Sequence, residues 1–193
     1  MKWFLVGDGD TPLDPDEARG LRVDVATRGQ IDEVEQANIT DALAWAYRRK
    51  SLANELLTVS GLYTLHGKMF KDVWHWAGQP RQTEKTIGIS PFQIGPNLKG
   101  ACDNAAYWFD ENVYSLETAA ARFHHKLVAI HPFPNGNGRH ARLVADLLLM
   151  HRGGQPLKWP PPTDREKYIA ALRAADGGDY GPLVTMLVPP LRE

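Results

Sequence analysis

The chain has 193 residues, 43% of them hydrophobic and 23% charged, an ordinary balance for a soluble globular protein with one sizeable core. Its 22 Lys and Arg against 23 Asp and Glu leave a formal net charge of -1, which excludes a global basic field that would gather nucleic acid or an anionic membrane. One cysteine, Cys102, excludes an internal disulfide and a cysteine-rich zinc site, and it reads as a buried structural residue.

Residues 1–26, with DGDTPLDPDEARG, read as an irregular arm, because Pro and Gly oppose regular structure there. The opening MKWFLVGDGD holds too short an apolar run for a signal-peptide core, and no segment approaches a membrane span, so a cytoplasmic location is the expectation. TRGQ at 27–30 has capping-box spacing and places the start of a helix at Thr27, which carries Ile31, Val34, Ile39, Leu43 and Trp45 toward Tyr47. The basic YRRK at 47–50 is a charged helix end. ELLTVSGLYTLHGKMFKDVWHW predicts a second helix, with Leu62, Leu65, Met69 and Val73 at helical steps, stopped by Gly78 and Pro80. Residues 81–95, RQTEKTIGISPFQIG, change character: β-branched Thr86, Ile87 and Ile89 around Gly88 predict a short hairpin. Helix returns at ACDNAAYWF, and Ser115 caps another whose Leu116, Ala120, Phe123, Leu127 and Ile130 share one face. RHARLVADLLLMHR is apolar nearly all round, as a central buried helix requires. Thr163 and Glu166 form a capping box for DREKYIAALRAA, and GGD at 177–179 closes it. The expected fold is mostly α with one short β-hairpin, arranged as the arm of 1–26 and a single helical domain over 27–193.

Between the two buried helices lies HPFPNGNGRHAR, residues 131–142. Pro132 and Pro134 stiffen this loop and Phe133 can plug it into the core, so its backbone should hold one shape. Gly136 and Gly138 admit positive φ and close approach of a ligand, and their amides open a helix, where unpaired N–H groups and the dipole favour an anion. Arg139 and Arg142, one turn apart, add two forked phosphate donors. His131, at the other lip, can take a proton at neutral pH and serve as general base for an attacking hydroxyl. The chemistry implied is transfer of a phosphorus-centred group to a hydroxyl, with the charge stabilised by arginines, helix-start amides and a divalent cation.

Taken singly, a histidine before proline is a loop residue and GNG is a turn; taken in order, base, cradle, helix and paired arginines have one mechanical explanation. The spacing is neither a Walker loop nor HExxH. His66, His75, His124, His125 and His151 read as structural or solvated, since no four have metal-ligand spacing.

HPFPNGNGRHAR resembles the signature loop of Fic-domain proteins, HPFx[DE]GNGRxxR, at His131, Pro132, Phe133, Gly136, Asn137, Gly138, Arg139 and Arg142. LHGKMFKDVWHWAGQPR is similar to that family's helix and WAG-x-R segment, and EKYIAALRAADGGDYGPL to its C-terminal helices. The arm, the helix TRGQIDEVEQANITDALAW and the loop resemble the subgroup called mobile mystery protein B. The resemblance implies a Fic-type helical fold and AMP transfer from ATP to a Ser, Thr or Tyr hydroxyl of a target protein. His131 would be the base, and the amides from Gly136 to Gly138, Asn137, Arg139 and Arg142 would hold the phosphates. A flap at Thr86, Ile87, Gly88 and Ile89 would pair with an extended segment of the target. A helix-turn-helix partner, mobile mystery protein A, is implied as well; direct nucleic-acid binding is not.

Two departures from the pattern matter. The family's acidic magnesium residue is Asn135 here, whose amide oxygen can ligate Mg²⁺ but brings no charge. Open alternatives are therefore AMP transfer with a weakened metal site, transfer of a different phosphate-containing group, or a nucleotide-binding regulator without turnover. Asn135 before Gly136 is also a pairing prone to deamidation, which would create the acid. The second departure is EVEQANI at 33–39, a degenerate match to the inhibitory helix of many relatives, in which Glu35 would pair with Arg142; Glu33 and Glu35 read equally as solvated helix charges.

Overall fold

The computed structural model describes residues 20–23 and 28–188. Most of the arm, and Thr27 with its expected cap, lie outside the described residues. The helices, in chain order, are α1 Arg28–Tyr47, α2 Leu52–Glu55, α3 Val59–Phe70, α4 Ile94–Asp110, α5 Leu116–Ile130, α6 Asn137–His151, α7 Arg165–Asp176 and α8 Gly181–Leu187. The most extensive packing is between α5 and α6, with α4 against α5 and α1 against α3 on either side.

The apolar spacing explains this arrangement. α6 buries Leu143, Val144, Leu147, Leu148 and Leu149, so it needs neighbours on all sides and becomes the central rod. α5 is amphipathic and turns Ala120, Phe123, Leu127 and Ile130 toward it. Ser115 caps α5 as its sequence announces, its hydroxyl accepting the Thr118 amide proton at 3.2 Å. Cys102 is buried on α4 as expected, and burial pushes its thiol up to about 12.

Three details differ from the sequence expectation. The second helix is divided, because Thr58 takes an extended conformation and its side chain accepts the Gly61 amide proton at 3.0 Å, starting α3 afresh. The Thr163 capping box does not form: Pro162–Asp164 make a 3₁₀ turn, and Asp164 occupies the N-cap of α7. Residues 81–90 hold no strand; the backbone pairing described is a single antiparallel bridge between Leu21 and Trp74. β-branched residues favour extended backbone, but a hairpin also needs a partner row of amides and carbonyls, and here that main chain bonds to side chains and to the neighbouring loop instead.

Candidate active site

His131 ends α5 in the left-handed region, at φ 53° and ψ 61°, its amide donating to the Leu127 carbonyl at 3.1 Å. That conformation turns the chain sharply out of the helix, and Pro132 forbids its continuation. Phe133 is fully buried, its ring stacked on His66 with centroids 3.6 Å apart and planes 11° from parallel, and His140 meets its face edge-on. It is the plug that the sequence announces.

The carbonyls along this turn are tied to donors of the scaffold. The His131 oxygen accepts from Arg81 Nε at 2.7 Å and the Pro132 oxygen from the Arg81 amide at 2.9 Å. Asn137 closes the centre: its Nδ2 donates to the Phe133 carbonyl at 2.8 Å while its Oδ1 accepts the Phe133 amide proton at 2.9 Å. The Asn135 oxygen meets His66 Nε2 at 3.1 Å, and the Gly136 oxygen accepts the His140 amide at 2.9 Å. The tautomer of His66 follows, since Nδ1 accepts the Gly78 amide proton at 2.9 Å and Nε2 must therefore carry the proton it gives to Asn135. Burial holds this ring neutral, its pKa well below the usual value. With its carbonyls engaged in this way, the loop leaves the helix-start amides as its dominant potential, the condition for an anion cradle.

Gly136 is the N-cap of α6 at φ 75°, and a Cβ there would stand 2.6 Å from the Phe70 ring. Both facts require glycine. Asn137, expected among the phosphate-holding residues, has its side chain committed to the Phe133 main chain, so what it offers a ligand is its amide at the helix start. The two arginines diverge. Arg139 Nη1 bonds Glu35 Oε2 at 2.6 Å with its guanidinium over Phe70, whereas Arg142 is buried with its guanidinium over Trp159 and Tyr168. Glu35 thus pairs with Arg139, not Arg142, and Trp74 Nε1 donates to its other oxygen at 2.6 Å. The reason is reach across the packing of α1 on α3: Glu35 is on the buried face of α1, while Glu33 is exposed.

His131 is 7% exposed, and burial, with the charges of Arg81 and Lys85, lowers its pKa to about 4. It is neutral at pH 7 and able to accept a proton. The segment Thr86–Ile89 lies against it: Gly88 has φ 95°, and a Cβ there would sit 2.5 Å from His131 Cβ and 3.1 Å from the Ile130 carbonyl. The other histidines are structural where they are buried, His124 bonding the Tyr168 hydroxyl and His125 bonding Asp176 and Tyr180, while His75 is exposed and His151 part-exposed.

For Mg²⁺ the donor set does not fit a protein-held hard-cation site. Asn135 is uncharged, its Oδ1 already accepts the Gly136 amide proton at 2.6 Å, and no group of three or more His, Cys, Asp or Glu side chains stands together among the described residues. Sequence reasoning passed over Arg81 and read His66 as structural or solvated; both are buried and both hold the loop. Arg81 was visible only as the last residue of WAGQPR.

The profile of the Fic/DOC family matches residues 56–149, which span this loop and the helices that hold it. The chain carries a domain of the Fic/DOC family. It is 38% identical to protein adenylyltransferase fic-1 of Caenorhabditis elegans over 115 residues, 56% of this chain and 22% of that protein. It is 35% identical to protein adenylyltransferase Fic of Drosophila virilis over 153 residues, 75% of this chain and 31% of that protein. The chain therefore spans less than a third of the length of these curated relatives. The solved Fic-1 from C. elegans, residues 134–508, superposes with a TM-score of 0.69 at 27% identity, covering 85% of this chain and 50% of that one. The fold is shared with BepC of Bartonella tribocorum, solved with bound AMPPNP, at TM-score 0.66 and 18% identity over 86% of this chain and 90% of that one.

Proposed function

We propose that this Fic/DOC domain is a protein adenylyltransferase that moves AMP from ATP to a hydroxyl side chain of a target protein. The supporting observation is a rigid loop whose carbonyls are turned to the scaffold, with neutral His131 at one lip and the amides of α6 at the other. The α-phosphorus is attacked by the hydroxyl oxygen, the bond to the β-phosphate oxygen breaks, pyrophosphate leaves, and His131 takes the hydroxyl proton. The helix-start amides of Asn137 and Gly138, that of Gly136 once released from the Asn135 side chain, and the guanidinium groups of Arg139 and Arg142 hold the phosphates. Bound polyphosphate offsets the positive potential of Arg81 and Lys85 and raises the basicity of His131 where it is needed. Thr86–Ile89 serves as the flap along which an extended target segment lies. The same reading takes 27–193 as one domain behind the arm of 1–26. It keeps the chain within the mobile mystery protein B subgroup, with mobile mystery protein A as its partner, on the strength of the sequence likeness of arm, first helix and loop.

One observation favours a second reading, a nucleotide-binding regulator: Glu35 occupies Arg139, and Asn135 brings no charge. Intact mass after incubation with ATP separates the two. Addition of an AMP mass to the wild type, reduced by about 10²–10⁴ in rate in His131→Ala with ATP affinity retained, is the transferase outcome. Addition in Asn135→Asp alone means that the amide silences a competent fold. ATP binding that depends on Arg139, with no covalent product in any variant, is the regulator outcome. Glu35 is the inhibitory residue in both readings, so Glu35→Gln is expected to tighten ATP binding by about tenfold, as Arg139 is released to phosphate; an unchanged dissociation constant would remove that role.

A further inference from the structure

Arg81 is 2% exposed, yet its guanidinium reaches three separate main-chain carbonyls: Nε donates to His131 at 2.7 Å, Nη1 to Thr83 at 2.8 Å and Nη2 to Ile89. Its own amide donates to the Pro132 carbonyl at 2.9 Å, and the Ile89 amide reaches the Ile130 carbonyl at 3.4 Å. One planar fork thus holds both sides of the flap, at Thr83 and at Ile89, and the residue that carries the base. A ladder of strand hydrogen bonds is absent between 81 and 90, so this side chain does the work a ladder would do. Lysine cannot replace it, because an ammonium on a flexible stem does not present donors in three fixed directions within one plane. Gly88 completes the arrangement, since a Cβ there would meet Arg81 Nη2 at 2.9 Å as well as His131 Cβ at 2.5 Å.

We propose that Arg81 is a positioning residue that fixes the flap of residues 83–89 at a set distance from His131, and so decides whether a protein hydroxyl or water reaches the phosphorus. This rests on the transferase reading for its chemistry, but the tether itself is a property of the chain alone. The Arg81 side chain touches the loop only at the His131 carbonyl, its amide bond to Pro132 survives substitution, and the turn into α6 is held by Asn137, His66 and the His140 amide, so loss of the tether should spare ATP binding.

The test uses Arg81→Lys and, in case that variant fails to fold, Gly88→Ala, which keeps the arginine but sets a Cβ against its Nη2 and against His131 Cβ, so that the flap must shift. Amide exchange is followed over 82–90 and over α6, and ATP is supplied as the probe for three readings: its dissociation constant, AMP incorporated into protein and AMP released to water. Exchange over 82–90 is expected to accelerate by about tenfold or more with α6 unchanged. The ratio of AMP on protein to AMP in water is expected to fall by about tenfold or more, with ATP affinity within about twofold of wild type. Unchanged flap exchange in both variants would overturn the proposal, as would a parallel fall in ATP affinity and in both AMP products, the signature of a merely structural residue. A wild type that transfers no AMP sinks the transferase reading, while the exchange data alone then decide whether Arg81 is the tether.

Discussion

Two irregular stretches flank His131 and are held in opposite ways. Residues 132–137 are fixed by donors from three directions: Arg81 before the loop, Asn137 inside it, and His66 and His140 from the helices on which Phe133 rests. Residues 82–90 rest chiefly on one guanidinium, carry Ile87 at 53% exposure, and end beside Phe92 at 94%. The difference matches what each stretch would meet. Phosphate charge and geometry are invariant, so a cradle gains from a backbone that does not reorganise as charge develops. A target segment is variable, so the surface that receives it gains from main chain not committed to a ladder.

Breaking the rigid side should have the largest effect. Phe133→Ala removes a fully buried ring stacked on His66 and leaves a void beneath the loop, at a cost of about 3–5 kcal/mol in unfolding free energy. Urea denaturation measures it. A loss below about 1 kcal/mol would mean that the loop does not depend on its plug and that the contrast with the flap is drawn wrongly.

The rigid side was also the more legible in the sequence. A short motif concentrates its constraints: Phe133 between prolines predicts a plug, and Gly136 predicts a backbone that other residues cannot adopt, because each reading needs only the residue and its neighbours. What held the motif in place was not legible, since His66 and Arg81 stand 65 and 50 positions before His131 and their roles depend on which main-chain atoms the packing brings near. The partner of Glu35 failed for a related reason. Arg139 and Arg142 are one turn apart on α6, and only the placement of α1 against α3 decides that Arg139 is the one in reach. In the flap, β-branched residues predicted a strand pair, but propensity describes what a backbone prefers and not whether a partner row exists.

Acid should loosen the rigid side next. Burial lowers the pKa of His66 well below its usual value and takes His131 and His140 to about 4, with Arg81 and Lys85 adding to the effect at His131. His124, buried beside Arg142, falls to about 3. In the unfolded chain each would bind a proton near pH 6.5, so on acidification below that value the unfolded state binds more protons and stability falls, by up to about 1.4 kcal/mol per pH unit for each histidine. The loss continues down to about 4 for His131 and His140 and to about 3 for His124. Three of these four rings form or brace the loop, so thermal unfolding should be nearly flat between pH 7 and 8 and decline steeply from pH 6 to pH 5. A flat melting temperature through that window would show that the rings are not held neutral and that the loop is less enclosed than its geometry states.

The smallest change in stability should come from the flap, and there it sharpens the contrast. Ile87 is half exposed and faces solvent beside Gly88, so Ile87→Ala removes little buried area and should alter unfolding free energy by no more than about 0.5 kcal/mol. Its ATP affinity should match wild type, because the phosphate cradle proposed above is built on α6, not on the flap. If this surface receives the target, modification of that target should nonetheless weaken, as apolar area at the edge of the flap is withdrawn from the contact. A residue that is negligible for folding yet matters for the acceptor would be the opposite of Phe133, which is fully buried under the loop and stacked on His66. Should Ile87→Ala destabilise the fold as Phe133→Ala does, the flap would be part of the rigid frame, and one guanidinium would not be what holds it.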